Sequence, residues 1–163
     1  MKINSISIEN FMDKSCFKVI SGGQTGIDQI GLQCAKDNGI STGGHAPKHY
    51  KTENGNMPQL HDLYSLVEST DSDYSTRTKL NVRNSDATII FGDVTSPGSK
   101  LTLKIIKEYN KKSLINPSSE MLLKFIIDND ILVLNIAGNR GSNISSYVRS
   151  NVIQTLNNVF SQL

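Results

Sequence analysis

The sequence predicts an α/β fold built on an open, mainly parallel sheet of about five strands with helices on both faces. Short apolar runs alternate along the chain with longer segments whose apolar residues recur at helical spacing. Glycine and polar residues follow most of the apolar runs, as they do where parallel strands end. The length of 163 residues suits one domain with a substantial core.

The predicted elements alternate strictly from residue 17 onward. Strands are predicted at 17–20, 40–43, 86–91, 113–116 and 131–136. Helices are predicted at about 27–38, 73–82 and 144–160. A further helix opens at the loop 96–99 and carries apolar residues up to Tyr109, and another starts at Pro117 and has Leu122, Phe125 and Ile126 on its inner face. Residues 51–57 form a polar loop, and 58–68 is ambiguous. We therefore predict a single Rossmann-like ligand-binding domain over 17–163, preceded by an N-terminal arm or edge strand over 1–16.

Composition narrows the classes of function. A formal net charge of +2 gives no basic field of the kind that binds nucleic acid. The first sixteen residues lack an apolar signal-peptide core, and no apolar run approaches the ~18 residues of a membrane span. Two cysteines favour a reducing compartment without disulfides, so a cytoplasmic location is expected.

A glycine-rich loop between the first strand and the first helix carries the strongest functional signal. It reads Ser21-Gly22-Gly23-Gln24-Thr25-Gly26. Free amides and the positive end of a helix dipole meet there, which favours an anion and above all a phosphate. Thr25 and Asp28 have capping-box spacing. The alternative is a turn that only closes the strand–helix unit.

Two familiar phosphate loops do not fit this segment. A nucleotide P-loop needs a Lys after its last glycine, and none follows Gly26. The dinucleotide fingerprint needs a further glycine where Ser21 stands and an acidic residue near the end of the next strand. Thr42-Gly43-Gly44-His45 occupies that place, so NAD binding is disfavoured.

Four of the five predicted strands end in glycine together with hydrogen-bonding side chains. Ligands of open α/β sheets bind beyond these carboxyl ends. The arrangement suits a ligand that contains a phosphate and a heterocycle. The segments are Gly22–Gly26, Gly43–His45, Pro97–Ser99 and Gly138–Arg140.

Several single residues allow two interpretations. Arg77 is either an anion clamp, because guanidinium grips phosphate through two bonds, or a solvated helix residue. His45 and His49 lie four apart, but no Cys or carboxylate completes a metal set. Cys34 falls on an apolar helix face and is expected in the core. No hydrolytic triad or carboxylate pair is visible from spacing.

Five motifs along the chain have a shared family pattern. They are Ser21–Asp28, Thr42–Gly44, Arg77-Thr78 with Asn81–Arg83, Ser85–Thr88, and Asn135–Gly138 with Arg140. Together they resemble the molybdenum cofactor carrier proteins, and the resemblance runs from about Phe17 to Phe160. This family belongs to a Rossmann-like superfamily that also contains the LOG (lysine decarboxylase-like) phosphoribohydrolases.

The resemblance implies a non-catalytic, homo-oligomeric carrier, dimer or tetramer, that binds molybdenum cofactor (molybdopterin) or a similar phosphorylated heterocycle. Its phosphate would lie on the loop at Gly23–Gly26, and molybdoenzymes are candidate recipients. The alternative is a nucleoside-monophosphate-acting enzyme or a nucleotide-sensing module. Neither catalytic nor metal-binding residues are assigned. Candidate ligand-binding residues are Gly22, Gly23, Gln24, Thr25, Gly26, Asp28, Gly43, Gly44, Lys48, Arg77, Asn81, Arg83, Gly98, Ser99, Thr102, Asn135, Gly138 and Arg140.

The segment after the third core strand departs from both relatives. The carrier proteins usually have a Gly-Gly-Thr-Ala-Leu-Thr-like segment where this chain has Pro97-Gly98-Ser99-Lys100-Leu101-Thr102, so the Ser99 side chain is expected to narrow the pocket. LOG enzymes carry a Glu just after the matching threonine. Here Lys104 stands near that position and the first carboxylate is Glu108, which disfavours glycosidic cleavage.

Overall fold

The computed structural model describes residues 12–163. Ile6 and Ile8, on which the predicted N-terminal arm or edge strand depends, lie outside the described residues. Lys14–Cys16 form one turn of 3₁₀ helix. The division at residue 17 therefore stays a prediction.

A five-stranded parallel sheet forms the centre of the molecule, which confirms the predicted fold class. Its strands are β1 (Lys18–Ile20), β2 (Ser41–Gly43), β7 (Ala87–Phe91), β8 (Lys112–Ile115) and β9 (Val133–Gly138). The strand order in the sheet is β2-β1-β9-β7-β8. Val19 of β1 lies opposite Thr42 of β2 on one side and Leu134 of β9 on the other.

Helices cover both faces of this sheet because all five residues of β7 are buried and need apolar cover on either side. The helices are α1 (Ile27–Asp37), α2 (Gln59–Tyr64), α3 (Tyr74–Arg83), α4 (Pro97–Glu108), α5 (Ser119–Asp128) and α6 (Ser146–Phe160). Helices α1, α5 and α6 pack on one face of the sheet, and α3 and α4 pack on the other.

Four very short strands build the region between β2 and α3. β3 (His45–Ala46) pairs in parallel with β6 (Val67–Glu68). β4 (Lys51–Thr52) and β5 (Gly55–Asn56) form an antiparallel hairpin inside the segment predicted as a polar loop. The ambiguous segment 58–68 contains α2 and β6. No helix in residues 12–163 combines the length and apolarity needed to cross a bilayer.

The order in which strands are added to the sheet changes direction at the boundary between β9 and β7. β1 leads outward to β2 on one side, whereas β7 leads outward to β8 on the other. Loops after β9 and β7 therefore diverge and leave a crevice at their carboxyl ends, the usual ligand site of open α/β sheets.

Candidate functional site

A cavity of about 340 Å³ opens at this crevice, on the α3 and α4 face of the sheet. It combines side chains from the loops after β1, β7 and β9 with residues of α3. Its lining consists of Gln24, Asp28, Tyr74, Arg77, Thr78, Ser96, Pro97, Gly98, Leu101, Thr102, Ala137, Gly138, Asn139, Arg140 and Asn143. We call it the first cavity.

Two amides of the glycine-rich loop are engaged within the protein. The Gln24 amide donates to Oδ2 of Asp28 at 3.1 Å, and the Thr25 amide donates to the Gln24 side chain at 3.0 Å. The amide of Ile27, at the start of the helix that follows, donates to the Asn139 carbonyl at 3.2 Å. A phosphate bound by the Gln24 and Thr25 amides would have to displace these partners.

The predicted capping box at the start of α1 is wrong. The residue at the cap is Gly26, with φ of 82° and no side-chain cap. The Thr25 hydroxyl instead donates to Glu53 and accepts from the Gly141 amide at 3.0 Å, which ties the loops after β1 and β9 together. Asp28 turns toward Gln24 and α3 rather than back to Thr25.

Asp28 and Arg77 form a buried ion pair beside the loop. Nη1 of Arg77 lies 2.9 Å from Oδ2 of Asp28, and their side chains are 15% and 2% exposed. Burial raises the pKa of the Asp28 carboxyl, while the Arg77 charge and the Gln24 amide act in the opposite direction. Arg77 is therefore not the solvated helix residue of the alternative interpretation; its role as an anion clamp stays a prediction.

Glycine at position 22 makes room for this arginine. A Cβ added there would lie 1.6 Å from Nη1 of Arg77, so the guanidinium rests directly on the Gly22 backbone. Nε of Arg77 is buried and has no hydrogen-bond partner in the described residues.

The first turn of α4 differs from the glycine-rich loop. Ser96 caps the helix by accepting the Ser99 amide at 3.3 Å. Gly98 is exposed to the cavity, and a Cβ added there would meet nothing within 4 Å. Ser99 is 4% exposed, and its hydroxyl has no partner in the described residues. This turn presents a positive helix end with open space in front of it.

The end of β9 supplies the third wall. Asn139 accepts the Asp93 amide at 2.5 Å and donates to both the Asp93 carbonyl and Oγ of Ser96 at 3.0 Å, which fixes the loop before α4. Arg140 is exposed, lines the cavity and forms no ion pair within residues 12–163. With Asp28 balanced by Arg77, the Arg140 charge makes the cavity net positive.

Seven of the candidate residues meet at the first cavity, and eleven do not line it. Those in the lining are Gln24, Asp28, Arg77, Gly98, Thr102, Gly138 and Arg140. Those outside it are Gly22, Gly23, Thr25, Gly26, Gly43, Gly44, Lys48, Asn81, Arg83, Ser99 and Asn135.

Several residues outside the lining have contacts within the protein that account for them. Asn81 is 2% exposed and bonds both the amide and the carbonyl of His45, at 2.8 and 2.9 Å, which anchors β3 to α3. Asn135 donates to Thr88 inside the sheet. A Cβ on Gly23 would approach Cδ1 of Leu66 to 2.7 Å, so this glycine faces a core and not the cavity.

Glu53, in the turn of the β4–β5 hairpin, was missed by sequence reasoning. Its amide donates to the Gln24 side chain at 2.9 Å, and its carboxylate accepts from Ser142 and Thr25. The hydrogen bonds from Ser142, and next from Thr25, lower the pKa of this carboxyl. Only the fold brings these segments together.

Tyr74 and Thr78 were also missed as ligand-binding candidates, although Tyr74 lies three residues before Arg77 and four before Thr78 on α3, a spacing that could have found them. Residues three and four apart share a helix face, and all three line the cavity. The Tyr74 ring has Cζ of Arg77 at 5.6 Å and Nζ of Lys51 at 5.3 Å from its centroid. The cationic groups of Arg77 and Lys51 thus lie close to the Tyr74 ring, within the range of cation–π contacts.

Metal coordination finds no support in the part of the chain that the structure describes, where no group of three or more His, Cys, Asp or Glu side chains could hold an ion. Cys34 is 4% exposed, which confirms its predicted place in the core. Burial, assisted by the charge of Asp37, raises the pKa of its thiol to about 11. This thiol is therefore protonated at neutral pH.

Fold and site together define an α/β protein whose ligand cavity lies at the carboxyl edge of a parallel sheet. The chain belongs to the Circularly permutated YpsA SLOG family, whose sequence model matches residues 19–160. It is also similar to the crystal structure of a "Putative molybdenum carrier protein" from Syntrophus aciditrophicus, with 36% identity and a TM-score of 0.75 over 88% of this chain and 93% of that one. Among curated proteins, none matches.

The strand order agrees with the permutation in the family description. When β9 is counted first and the chain is followed from there, β1 and β2 come second and third, and β7 and β8 come fourth and fifth. The sheet order then becomes 3-2-1-4-5, as in the doubly wound nucleotide-binding folds. The first cavity thus lies beside the switch point of a permuted fold.

Proposed function

We propose that this chain binds a small phosphorylated heterocycle of the molybdenum cofactor (molybdopterin) type in the first cavity and carries it without chemical change. The observation that carries the proposal is a cavity at the carboxyl edge of the sheet that brings together Arg77, Arg140 and the open first turn of α4 at Gly98. The 36% identical carrier protein supports a ligand of this class.

In this proposal the phosphate binds at the first turn of α4 and not on the glycine-rich loop. Gly98 leaves free space at a helix N-terminus, and Arg77 and Arg140 line the same cavity. By contrast, Gln24 and Thr25 already have acceptors for their amides. In this proposal the glycine-rich loop has an indirect role, because it holds Asp28 and lets Arg77 cross Gly22.

The heterocycle would lie on the α3 side of the cavity. Tyr74 offers a ring and Leu101 an apolar contact, while Thr78 offers a hydroxyl group. Such a mixture of one aromatic, a few apolar and a few polar groups is typical of small-molecule sites. Molybdopterin, when bound, supplies the dithiolene that holds the metal; the residues of this chain hold its pterin and phosphate.

Binding without catalysis is favoured over the nucleotide-hydrolase alternative by the carboxylates around the cavity. Asp28 is the single carboxylate that lines it among the described residues, and its Oδ2 is fixed by Arg77 and Gln24. Glu108 ends α4 and pairs with Lys104 on the exposed surface. If Asp28 were a catalytic group, purified protein would release free base from nucleoside monophosphates, and Asp28→Asn would stop the release.

Isothermal titration with isolated molybdopterin tests the proposal. Arg140→Ala is expected to weaken binding by about 1.5–3 kcal/mol, the range for a hydrogen bond to a charged group. The stability of the variant should not change, because Arg140 is exposed and unpaired. Lys104→Ala, an exposed lysine on the far part of α4, is the control and should bind as the wild type does. Equal affinities of all three proteins would contradict the proposal.

The same purified protein addresses the remaining predictions. Native mass spectrometry would identify a copurifying phosphorylated pterin and count the subunits of the proposed dimer or tetramer. Transfer to an apo-molybdoenzyme, followed by its recovered activity, would test the proposed recipients.

A further inference from the structure

A second cavity, of about 540 Å³, lies on the opposite face of the sheet from the first. Its apolar floor consists of Phe91 and Val152, which belong to the core beneath α6, and of Val148. The first cavity instead contacts Leu101 and Ala137, which pack on the core beneath α4. The two cavities therefore approach the crevice from different faces of the sheet.

The cavities meet at the switch point. Asn139 and Asn143 line both of them. The Asn139 side chain spans from β9 to Asp93 and Ser96, so it stands between the two spaces at the carboxyl ends of β9 and β7. In doubly wound folds one ligand with two halves crosses the sheet at this point.

The chemistry of the two linings differs in a complementary way. Arg77 and Arg140 make the first cavity suitable for phosphate, whereas the second has no Lys or Arg in its lining. Its one charged residue is Asp93, whose Oδ1 accepts from Thr95 and whose other carboxylate oxygen has no partner in the described residues. The side chains of Asn143 and Thr155 also have no partner among those residues. Such a lining suits a neutral group with hydroxyl or amino donors.

We propose that the second cavity receives the nucleoside half of a pyrophosphate-linked, two-part ligand. The inference rests on the proposed function, since the other half and its phosphate occupy the first cavity. The pyrophosphate lies between Gly98 of the first cavity and Asn139 and Asn143, which line both cavities. Asp93 accepts from the ribose hydroxyls or the amino groups of the base, and Phe91 and Val152 contact its apolar surface.

Isothermal titration with guanosine monophosphate and diguanosine pyrophosphate tests this ligand class. The dinucleotide is expected to bind at least about ten-fold more tightly than the mononucleotide, equivalent to ~1.4 kcal/mol. Asn151→Trp places a large ring at the mouth of the second cavity from an exposed position of α6, and should reduce this affinity ratio to about one. Gln154→Trp, exposed on the same helix but outside the lining, is the matched control and should keep the ratio.

Three results would overturn the inference. The first is a wild-type ratio of one with measurable mononucleotide binding, which leaves the proposed function intact. The second is a ratio that survives Asn151→Trp. The third is an oligomer that dissociates in Asn151→Trp but not in Gln154→Trp, which would make the second cavity a subunit interface. If neither nucleotide nor molybdopterin binds, the proposed function fails, and the two-part ligand fails with it.

Discussion

Two glycine-containing turns follow β1 and β7, the strands on either side of β9, and glycine has a different effect in each. In the loop after β1, Gly22 lets the Arg77 side chain lie against the backbone, and the amides of Gln24, Thr25 and Ile27 bond Asp28, Gln24 and Asn139. In the first turn of α4, a Cβ on Gly98 would meet no protein atom within 4 Å. We therefore expect an anion at the first turn of α4 rather than at the amides of Gln24 and Thr25.

The largest effect on stability is expected from breaking the Asp28–Arg77 ion pair beside the glycine-rich loop. Arg77→Ala leaves Asp28 charged and buried, which should lower the free energy of unfolding by about 3–5 kcal/mol. Arg77→Met combined with Asp28→Leu removes both charges and should recover most of this loss, but not ligand binding. Urea unfolding of the three proteins measures the difference. If the free energy of unfolding of Arg77→Ala fell by less than ~1 kcal/mol, Asp28 and Arg77 would not form this ion pair in solution.

A smaller effect is expected from adding one methyl group to each turn. Gly22→Ala must displace Arg77 and should lower the free energy of unfolding by about 1–3 kcal/mol, as overpacking does. Gly98→Ala should leave stability unchanged or raise it by up to about 1 kcal/mol, because Ala is the better helix residue. Ligand affinity should fall in both variants. If the two stabilities changed alike, the contrast between the turns would be wrong.

The hydrogen bonds by which Glu53 joins the glycine-rich loop to Ser142, after β9, should depend on pH. Glu53 has its pKa lowered below the ordinary 4.5 by the hydrogen bonds from Ser142 and Thr25. Its contribution to stability is therefore complete above pH 4.5 and is lost as the pH falls through the lowered value. Glu53→Gln should be less stable than the wild type at pH 7, and thermal unfolding at pH 3 should bring the two closer. A difference that grows toward acid would contradict the assignment.

The smallest effect is expected on α4 away from its first turn. Lys104 and Glu108 are exposed and 3.9 Å apart. Lys104→Ala should change the free energy of unfolding by less than about 0.5 kcal/mol and leave ligand affinity unchanged. A large loss of affinity would extend the site along α4 and reopen the enzyme alternative.

Local sequence patterns were sufficient for the fold and for part of the site. The five strands and the long helices follow from apolar periodicity and from the glycines between them, and Gly138, one of the predicted strand ends, lines the first cavity. Which amides are free could not be predicted, because their partners are distant in the chain. Asp28 meets Arg77 49 residues later, and the Thr25 hydroxyl meets Gly141 116 residues later.

The same reason explains the candidates that do not line the cavity. Arg77 and Asn81 are both candidate ligand-binding residues and lie four apart on α3, but Asn81 bonds the His45 backbone, which only the fold brings beside α3. Helical spacing alone cannot distinguish a side chain that holds a neighbouring strand from one that faces a ligand.

A crystal structure of the protein with bound molybdopterin would show whether the phosphate lies at the first turn of α4, through the position of the phosphorus atom. We predict a phosphate whose oxygens accept from the Gly98 amide and from Arg77 and Arg140, with the Asp28–Arg77 pair intact. A phosphate bound by the amides of Gln24 and Thr25, with Asp28 displaced, would contradict it.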